Sequence, residues 1–351
     1  MFDFINLQLF ADAGTLPNGQ PNTTVVYKTS MGAGEANALL SPENKTFYDM
    51  TLINEAQAQL VHDQFGQKRP IPANGGKTIE FRKFHSYEKA LTPLQEGVTP
   101  AGKAIKVTAI TSTVDQYGDY TMLSDVLDLT SIDNVVLETT KNHGRQAGMT
   151  LDTVTRNVLH SGTNVTYCPK EGGDEVTSRA SLTKDCQLTV DVIMQVVAKL
   201  RAVNAPTING KYVAIIHPYV AYDLMRDPEW IDAHKYSAAS NLFEGEIGEI
   251  AGVRFVQTSE ARIYTGEGCP AGLAVFGTLF LADGAYGVTE ITGGGLQTIV
   301  KQKGSAGTAD PLDQRSTVGW KAIKTAEILI EDYIVRVESC SAKFSGTATA
   351  N

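Results

Sequence analysis

The chain has 351 residues, 42% of them hydrophobic, with 30 Lys and Arg against 39 Asp and Glu, a net charge of −9. Such a length and composition suit roughly two folded domains and exclude a wholly disordered chain. The acidic balance excludes a protein that wraps nucleic acid, which needs clustered Lys and Arg against phosphate.

The N-terminal stretch MFDFINLQLFAD is apolar at Met1, Phe2, Phe4, Ile5, Leu7, Leu9 and Phe10. It is no secretory signal: Asp3 is its only charge, and Asn6 and Gln8 interrupt the apolar run. No stretch reaches the ~20 apolar residues of a membrane span, so a soluble, untargeted chain is expected. Residues 12–45, rich in Gly, Pro, Asn, Thr and Ser, offer little core and read as an arm that orders only against something else. Residues 46–66 show helical spacing through Phe47, Met50, Leu52 or Ile53, Ala56, Leu60 and Val61, with Gly66 and Pro70 as the stop.

Two strand-like runs follow. KTIEFRKFHSY carries Ile79, Phe81 and Phe84, and KAIKVTAITSTVDQYGDYTML alternates through Ile105, Val107 and Ala109. Between them lies LTPLQEGVTPAG, broken at Pro93, Gly97, Pro100 and Gly102. A long two-stranded hairpin is marginal alone in water, so it needs a neighbouring surface, which points to assembly.

SIDNVVLETTKNHGRQAGMTLDTVTRNVLHSG is the longest helical pattern, with Ser131 as its cap and Gly162 as its stop. From Ser131 to His160 it would measure roughly 45 Å. Its middle is polar and holds Gly144 and Gly148 on one face, so either something packs closely there or the helix bends. It reads as a strut.

QLTVDVIMQVVAKLRAVNAP is an amphipathic helix with Leu188, Val192, Ile193, Val196, Val197 and Leu200 on one side. YVAIIHP reads as a buried strand and PYVAYDLMRDPEWIDA as a helix broken at Pro228. GVRFVQTS, LAVFGTLFLADGAYGVTEI and LQTIVKQKG supply strands, and STVGWKAIKTAEILIEDYIVRVES reads as two paired strands turning near Glu331 and Asp332. Helices and strands interleave irregularly, which makes the class α+β.

Chemistry-bearing motifs are weak. NGGKT at Asn74–Thr78 lacks the first glycine of a phosphate loop, since Ile71 stands there, and a strand follows it. Gly293–Gly295 reads as a turn rather than an anion nest. His217 ends a strand without a partner nucleophile and reads as a cap. The carboxylates are dispersed and give no acid–base pair. Cys168, Cys186, Cys269 and Cys340 show no C-x-x-C spacing and read as free thiols. No catalytic residue, cofactor or metal site is expected.

Six collinear segments carry a resemblance: LTPLQEGVTPAG, VTAITSTVDQYGDYTMLSDVLDLT, LDTVTRNVLHSGTNV, DPEWIDAHKY, LFEGEIGEIAGVRFVQT and ADPLDQRSTVGWK. Over roughly residues 50–340 the chain resembles the major capsid proteins of tailed bacteriophages of Gram-positive hosts. The resemblance implies the Hong Kong 97-type capsid fold. Its parts would be an N-terminal arm at 1–49, a helical segment at 50–74, an extended β-hairpin loop at 75–120 and a peripheral domain at 121–184 and 296–351. A spine helix at 131–160 and an axial domain at 185–295 complete it. It also implies a homo-oligomer of pentamers and hexamers closed into an icosahedral shell around DNA, assembled in the bacterial cytoplasm and carried in the virion.

A separate scaffolding protein and a portal would be partners, with a decoration protein as an optional one; neither sequence-specific nucleic-acid binding nor a membrane is expected. Leu91, Pro93, Gly97, Pro100 and Gly102 at the loop tip would touch neighbouring subunits, and Phe2, Phe4, Ile5, Leu7, Leu9 and Phe10 would anchor the arm. Cross-linking members of that family join Lys to Asn between subunits. Lys89 and Lys103 border the tip here without an Asn and carboxylate placed to react, so no cross-link is expected. INLQLFA is similar to an N-terminal tag on some such capsid and scaffold proteins, which a host protease cuts at the position of Phe10–Ala11. The competing readings are an encapsulin-like cellular compartment of the same fold and a soluble enzyme using His217.

Overall fold

The computed structural model describes residues 42–57, 59–72, 76–84, 87, 89–93, 96–97, 99, 102–131, 134–234, 248–290, 294–305 and 310–351. In chain order the elements begin with α1 (Pro42–Gln57), β1 (Gln67–Lys68), β2 (Thr78–Phe84), β3 (Val107–Thr113) and β4 (Asp115–Ser124). Next come α2 (Asp125–Thr130), α3 (Val135–Leu159), β5 (Val165–Tyr167) and α4 (Val190–Ala202). They continue with β6 (Tyr212–Ile216), α5 (Pro218–Leu224), α6 (Pro228–His234), β7 (Glu249–Ile250), β8 (Val253–Gln257) and β9 (Ile263–Tyr264). The last are β10 (Val275–Leu281), β11 (Tyr286–Glu290), β12 (Gln297–Lys301), β13 (Arg315–Ile328) and β14 (Ile334–Ser339). The class is α+β.

The chain divides into two units: one takes the described residues up to Gln59 with Gln116–Gly148 and Gly295–Ala322, the other Leu60–Asp115, Met149–Gly294 and Ile323–Asn351. In the first unit β13 pairs with β4 and, antiparallel, with β12 from Gln297↔Lys321 to Lys301↔Thr317. Helix α1 crosses the first half of α3 at its glycines. A Cβ added at Gly144 would lie 2.8 Å from the Leu52 carbonyl oxygen, and one at Gly148 only 2.5 Å from that of Ala56. Of the two readings of this glycine pair, close packing holds: the glycines let two backbones touch, and Leu52 and Ala56 are fully buried there. Gln146 ties helix to sheet, accepting from Trp320 Nε1 at 3.2 Å and donating to Asp119 at 2.6 Å. That hydrogen bond is the main reason the Asp119 carboxyl is held below its ordinary value.

The second unit holds the largest core. Its sheet runs β5-β14-β10-β6-β8-β7, with β9 paired to β10. Strands β6 and β10 are buried along their whole length, so both faces are covered. Helix α4 seals the sheet with Val192, Ile193, Val196, Val197 and Leu200, the stripe its 3.6-residue period predicted. The end of β13 pairs with β11, which pairs in parallel with β1. Strands β2 and β3 form the hairpin, in antiparallel register from Thr78↔Thr113 to Phe84↔Val107.

Four expectations change. The helix foreseen over 46–66 is Pro42–Gln57, and Leu60 and Val61 lie outside it. The amides of Val61 and His62 instead bond Asp152, which draws that segment out of helical pairing. Ser131 does not cap the strut; its amide closes α2 on the Leu127 carbonyl, and Asn134 caps α3 by accepting from the Leu137 amide at 3.1 Å. The second hairpin strand ends at Thr113, and β4 beyond it pairs with β13 instead. The two C-terminal strands turn through a 3-10 segment at Glu331–Tyr333, yet β13 and β14 join different sheets. Their apolar patterns satisfy two separate cores, and pattern alone does not name the partner.

Candidate assembly surfaces

Apolar side chains left uncovered on regular elements mark surfaces built to meet a partner. The hairpin is pinned at its base. Phe81 is buried, its ring filling the space a Cβ on Gly287 would take, 2.6 Å away. Ser112 and Thr325 share a hydroxyl bond of 3.0 Å. Towards the tip the cover ends: Ile105, Val107 and Tyr87 are exposed, and Leu91 is 83% exposed. Pro93, Gly97 and Gly102 are exposed as well. Gly97 has φ 75°, a backbone that suits glycine. Pro100 lies outside the described residues, as do Phe2, Phe4, Ile5, Leu7, Leu9, Phe10 and Ala11.

A second uncovered surface gave no clear signal in the sequence. Helix α2 has no buried residue, although Val126 is 61% and Leu129 79% exposed. Its form is nevertheless well specified. Ser124 accepts from the Leu127 amide at 3.2 Å, Thr130 donates to the Val126 carbonyl at 2.6 Å, and Lys303 bonds Asp128 at 3.0 Å. On β4, Tyr120 (64% exposed) and Met122 face outward and border an open groove of about 690 Å³. Ile299, Gly118, Gly319, Lys301 and Arg315 also line it. The only trace in the residues is SDVLDLTS, a segment with serine at both ends and apolar residues between, too short to register as a periodic element.

The groups that carry chemistry elsewhere are committed to structure here. His217 caps α5, its Nδ1 accepting from the Tyr219 amide at 3.1 Å, and burial lowers its pKa to about 4. His217 thus serves as the helix cap that its place before Pro218 suggested. His62 and Asp152 form a fully buried pair at 2.6 Å, but Asp152 also accepts from the amides of Val61 and His62, and the Tyr286 hydroxyl bonds the His62 carbonyl. Beside them Asp63 pairs with Lys324 and accepts from Thr155 at 2.6 Å. These contacts fasten the segment after Leu60 to the second half of α3. Burial, compounded by nearby His62, Arg336, Arg156 and Arg262, pushes the His160 pKa well down. Arg179 clasps Glu338 through two bonds of 2.7 and 2.6 Å and lies over the Tyr264 ring.

The four cysteines are free, and burial raises Cys340 to about 12 and Cys168 as well, so neither is a ready thiolate. Among the described residues no group of three or more His, Cys, Asp and Glu is placed to hold a metal ion, and no helix is long and apolar enough to cross a membrane.

Comparison with known proteins agrees with a surface-acting subunit. A family model described as phage capsid protein matches residues 107–334, more than half of the chain. No curated protein sequence matches. Among solved structures, the capsid of Cyanophage P-SCSP1u aligns with a TM-score of 0.61 at 15% identity, over 97% of this chain and 100% of that one. The Cyanophage Pam1 capsid aligns with a TM-score of 0.63 at 11% identity, over 95% and 100%. The capsid of Ralstonia phage GP4 aligns with a TM-score of 0.61 at 14% identity, over 80% and 88%. At such identities the likeness is one of fold, the Hong Kong 97-type capsid fold. The chain belongs to the phage capsid protein family.

Proposed function

We propose that this capsid subunit closes, as pentamers and hexamers, into the icosahedral head around the double-stranded DNA of a tailed phage of a Gram-positive host. The observation that carries the proposal is the hairpin. Its base is packed, while its outer half holds apolar side chains that water alone covers, such as Leu91 and Ile105. Laid over a neighbour, that half gains burial of roughly 25 cal/mol per Å² of apolar area. Contacts of that size, repeated around closed rings, stabilise a shell without any single strong one.

In this reading residues 1–49 are the arm and 50–74 its link to the 75–120 loop. The peripheral domain is 121–184 with 296–351, its spine is 131–160, and the axial domain is 185–295. Phe2, Phe4, Ile5, Leu7, Leu9 and Phe10 anchor the arm on a neighbour, and a protease cut, where one is made, falls between Phe10 and Ala11. Assembly takes place in the host cytoplasm with a separate scaffolding protein and a portal, and leaves the outside open to a decoration protein.

Electron microscopy of the purified protein, with and without co-expressed scaffold, tests the proposal. Closed shells are expected from the natural chain. A variant whose residues 87–104 are replaced by a short Gly-Ser turn should keep its thermal melt and stay unassembled. Shells at normal yield from that variant would sink the hairpin's role. Intact-mass measurement of mature particles reports whether the chain is cut at Phe10–Ala11.

A further inference from the structure

Where α5 ends, two cations converge on a neutral group. Arg226 Nη1 and Lys343 Nζ each donate to the Tyr222 hydroxyl at 3.1 Å, and both lie over the Tyr222 ring. Those two bonds, the one from Lys343 first, lower the pKa of the phenol. Neither cation belongs to an ion pair among the described residues, so two positive charges meet without a carboxylate bonded to either.

Both cations line an open pocket of about 350 Å³ that also holds Asp223. Asp223 is only 8% exposed, and its Oδ2 accepts from no described group. Burial raises its pKa, against the opposing bonds from Ser341 and the Ala342 amide and the pull of Arg226 and Lys343. A buried carboxylate oxygen without a donor is costly, and this one faces a space in which a donor can be placed. The other acid of the pocket, Asp227, is spent: it accepts from the Val190 amide at 2.9 Å and the Glu229 amide at 3.1 Å. Thr189, also on the wall, makes no side-chain cap bond at the start of α4, so its hydroxyl is a further donor.

Two cations and a hydroxyl suit an oxyanion, and a buried acceptor beside them suits an oxyanion that carries its own proton. We propose that this pocket binds a protonated phosphate group, either inorganic phosphate or a phosphate monoester. Arg226 and Lys343 meet its charged oxygens, and its P–OH donates to Asp223 Oδ2. The same acceptor excludes sulfate, which has the same shape but no proton near neutral pH, because an oxygen lone pair would then face a carboxylate oxygen. A phosphodiester, the linkage of a nucleic-acid backbone, has no P–OH either and is refused on the same ground. The inference goes beyond the shell reading and does not depend on it.

Calorimetric titration of the purified full chain with sodium phosphate and, separately, sodium sulfate tests it, at about pH 6, where even a monoester is half protonated. Phosphate should bind about tenfold or more tighter than sulfate. Asp223→Asn, whose amide donates to either ion, should bring the ratio close to one. Arg226→Gln with Lys343→Gln, both at exposed positions, should leave the melt of the ligand-free protein unchanged and lose both ions. Phosphoserine as a third titrant separates the sources: tighter binding than phosphate names a monoester, and weaker binding names the free ion. Equal binding of phosphate and sulfate, no phosphate binding at all, or binding that survives the double variant would overturn the site. So would an Asp223→Asn chain that keeps the preference. The comparison of the two ions uses the natural chain alone, so it decides the matter even where the Asp223 variant does not fold.

Discussion

Gly148 shows how a single residue sets a packing distance. The helix-propensity scale favours alanine there by about 1 kcal/mol. The added methyl would sit 2.5 Å from the Ala56 carbonyl oxygen and 3.0 Å from its Cα, and backbone cannot step aside as a side chain can. Gly148→Ala should therefore lower stability by about 1–3 kcal/mol, read as a fall in melting temperature. A rise would mean that α1 does not lie against α3 at that point.

His217 gives a prediction in pH. Its pKa falls from near 6.5 in the unfolded chain to about 4 in the fold because burial disfavours the charged ring. The unfolded state therefore binds the extra proton first. Stability is fully present above about pH 6.5 and declines as pH falls towards about 4. His160, also depressed by burial, adds to the decline in the same direction. His217→Asn keeps a capping acceptor without a titrating ring, so its melting temperature should fall less between pH 7 and 4.5 than that of the natural chain. Equal slopes would refute the assignment.

At the scale of elements, α3 illustrates how a strut with a polar middle is held. Its apolar content is modest, and much of its fixation comes from polar bonds: Gln146 to the sheet in one unit, Asp152 and Thr155 to the segment after Leu60 in the other. Asp152→Ala would strip the Val61 amide, the buried His62 amide and the His62 ring of their acceptor together. The expected loss is about 3–5 kcal/mol in chemical denaturation, the cost of breaking a buried pair from one side. The hairpin is held differently, by Phe81 at its root. Phe81→Ala should cost about 3–5 kcal/mol and speed hydrogen exchange in β2 and β3 before other strands.

For the whole molecule, net charge governs how the chain meets DNA and its own copies. A charge of −9 repels DNA phosphates, so the purified chain should give no shift of duplex DNA in a gel at physiological salt. A salt-sensitive shift would reveal a basic surface strong enough to outweigh the overall acidity. The same acidity favours shells whose yield rises with moderate salt, as repulsion between copies is screened.

Much of this was legible in the residues. Period settled α4 and the buried strand β6, the Gly144–Gly148 spacing pointed to either a close approach or a bend, and His217 before Pro218 foretold a cap. These are local signals, in which a residue's neighbours in the chain are also its neighbours in space. The partners of β4, β13 and β14, the closing role of Ser131 and the exposed apolar residues of α2 came only from the tertiary structure. Strand pairing is decided by which faces must be buried together across long stretches of chain. Whether an apolar residue is covered depends on packing that no local pattern records.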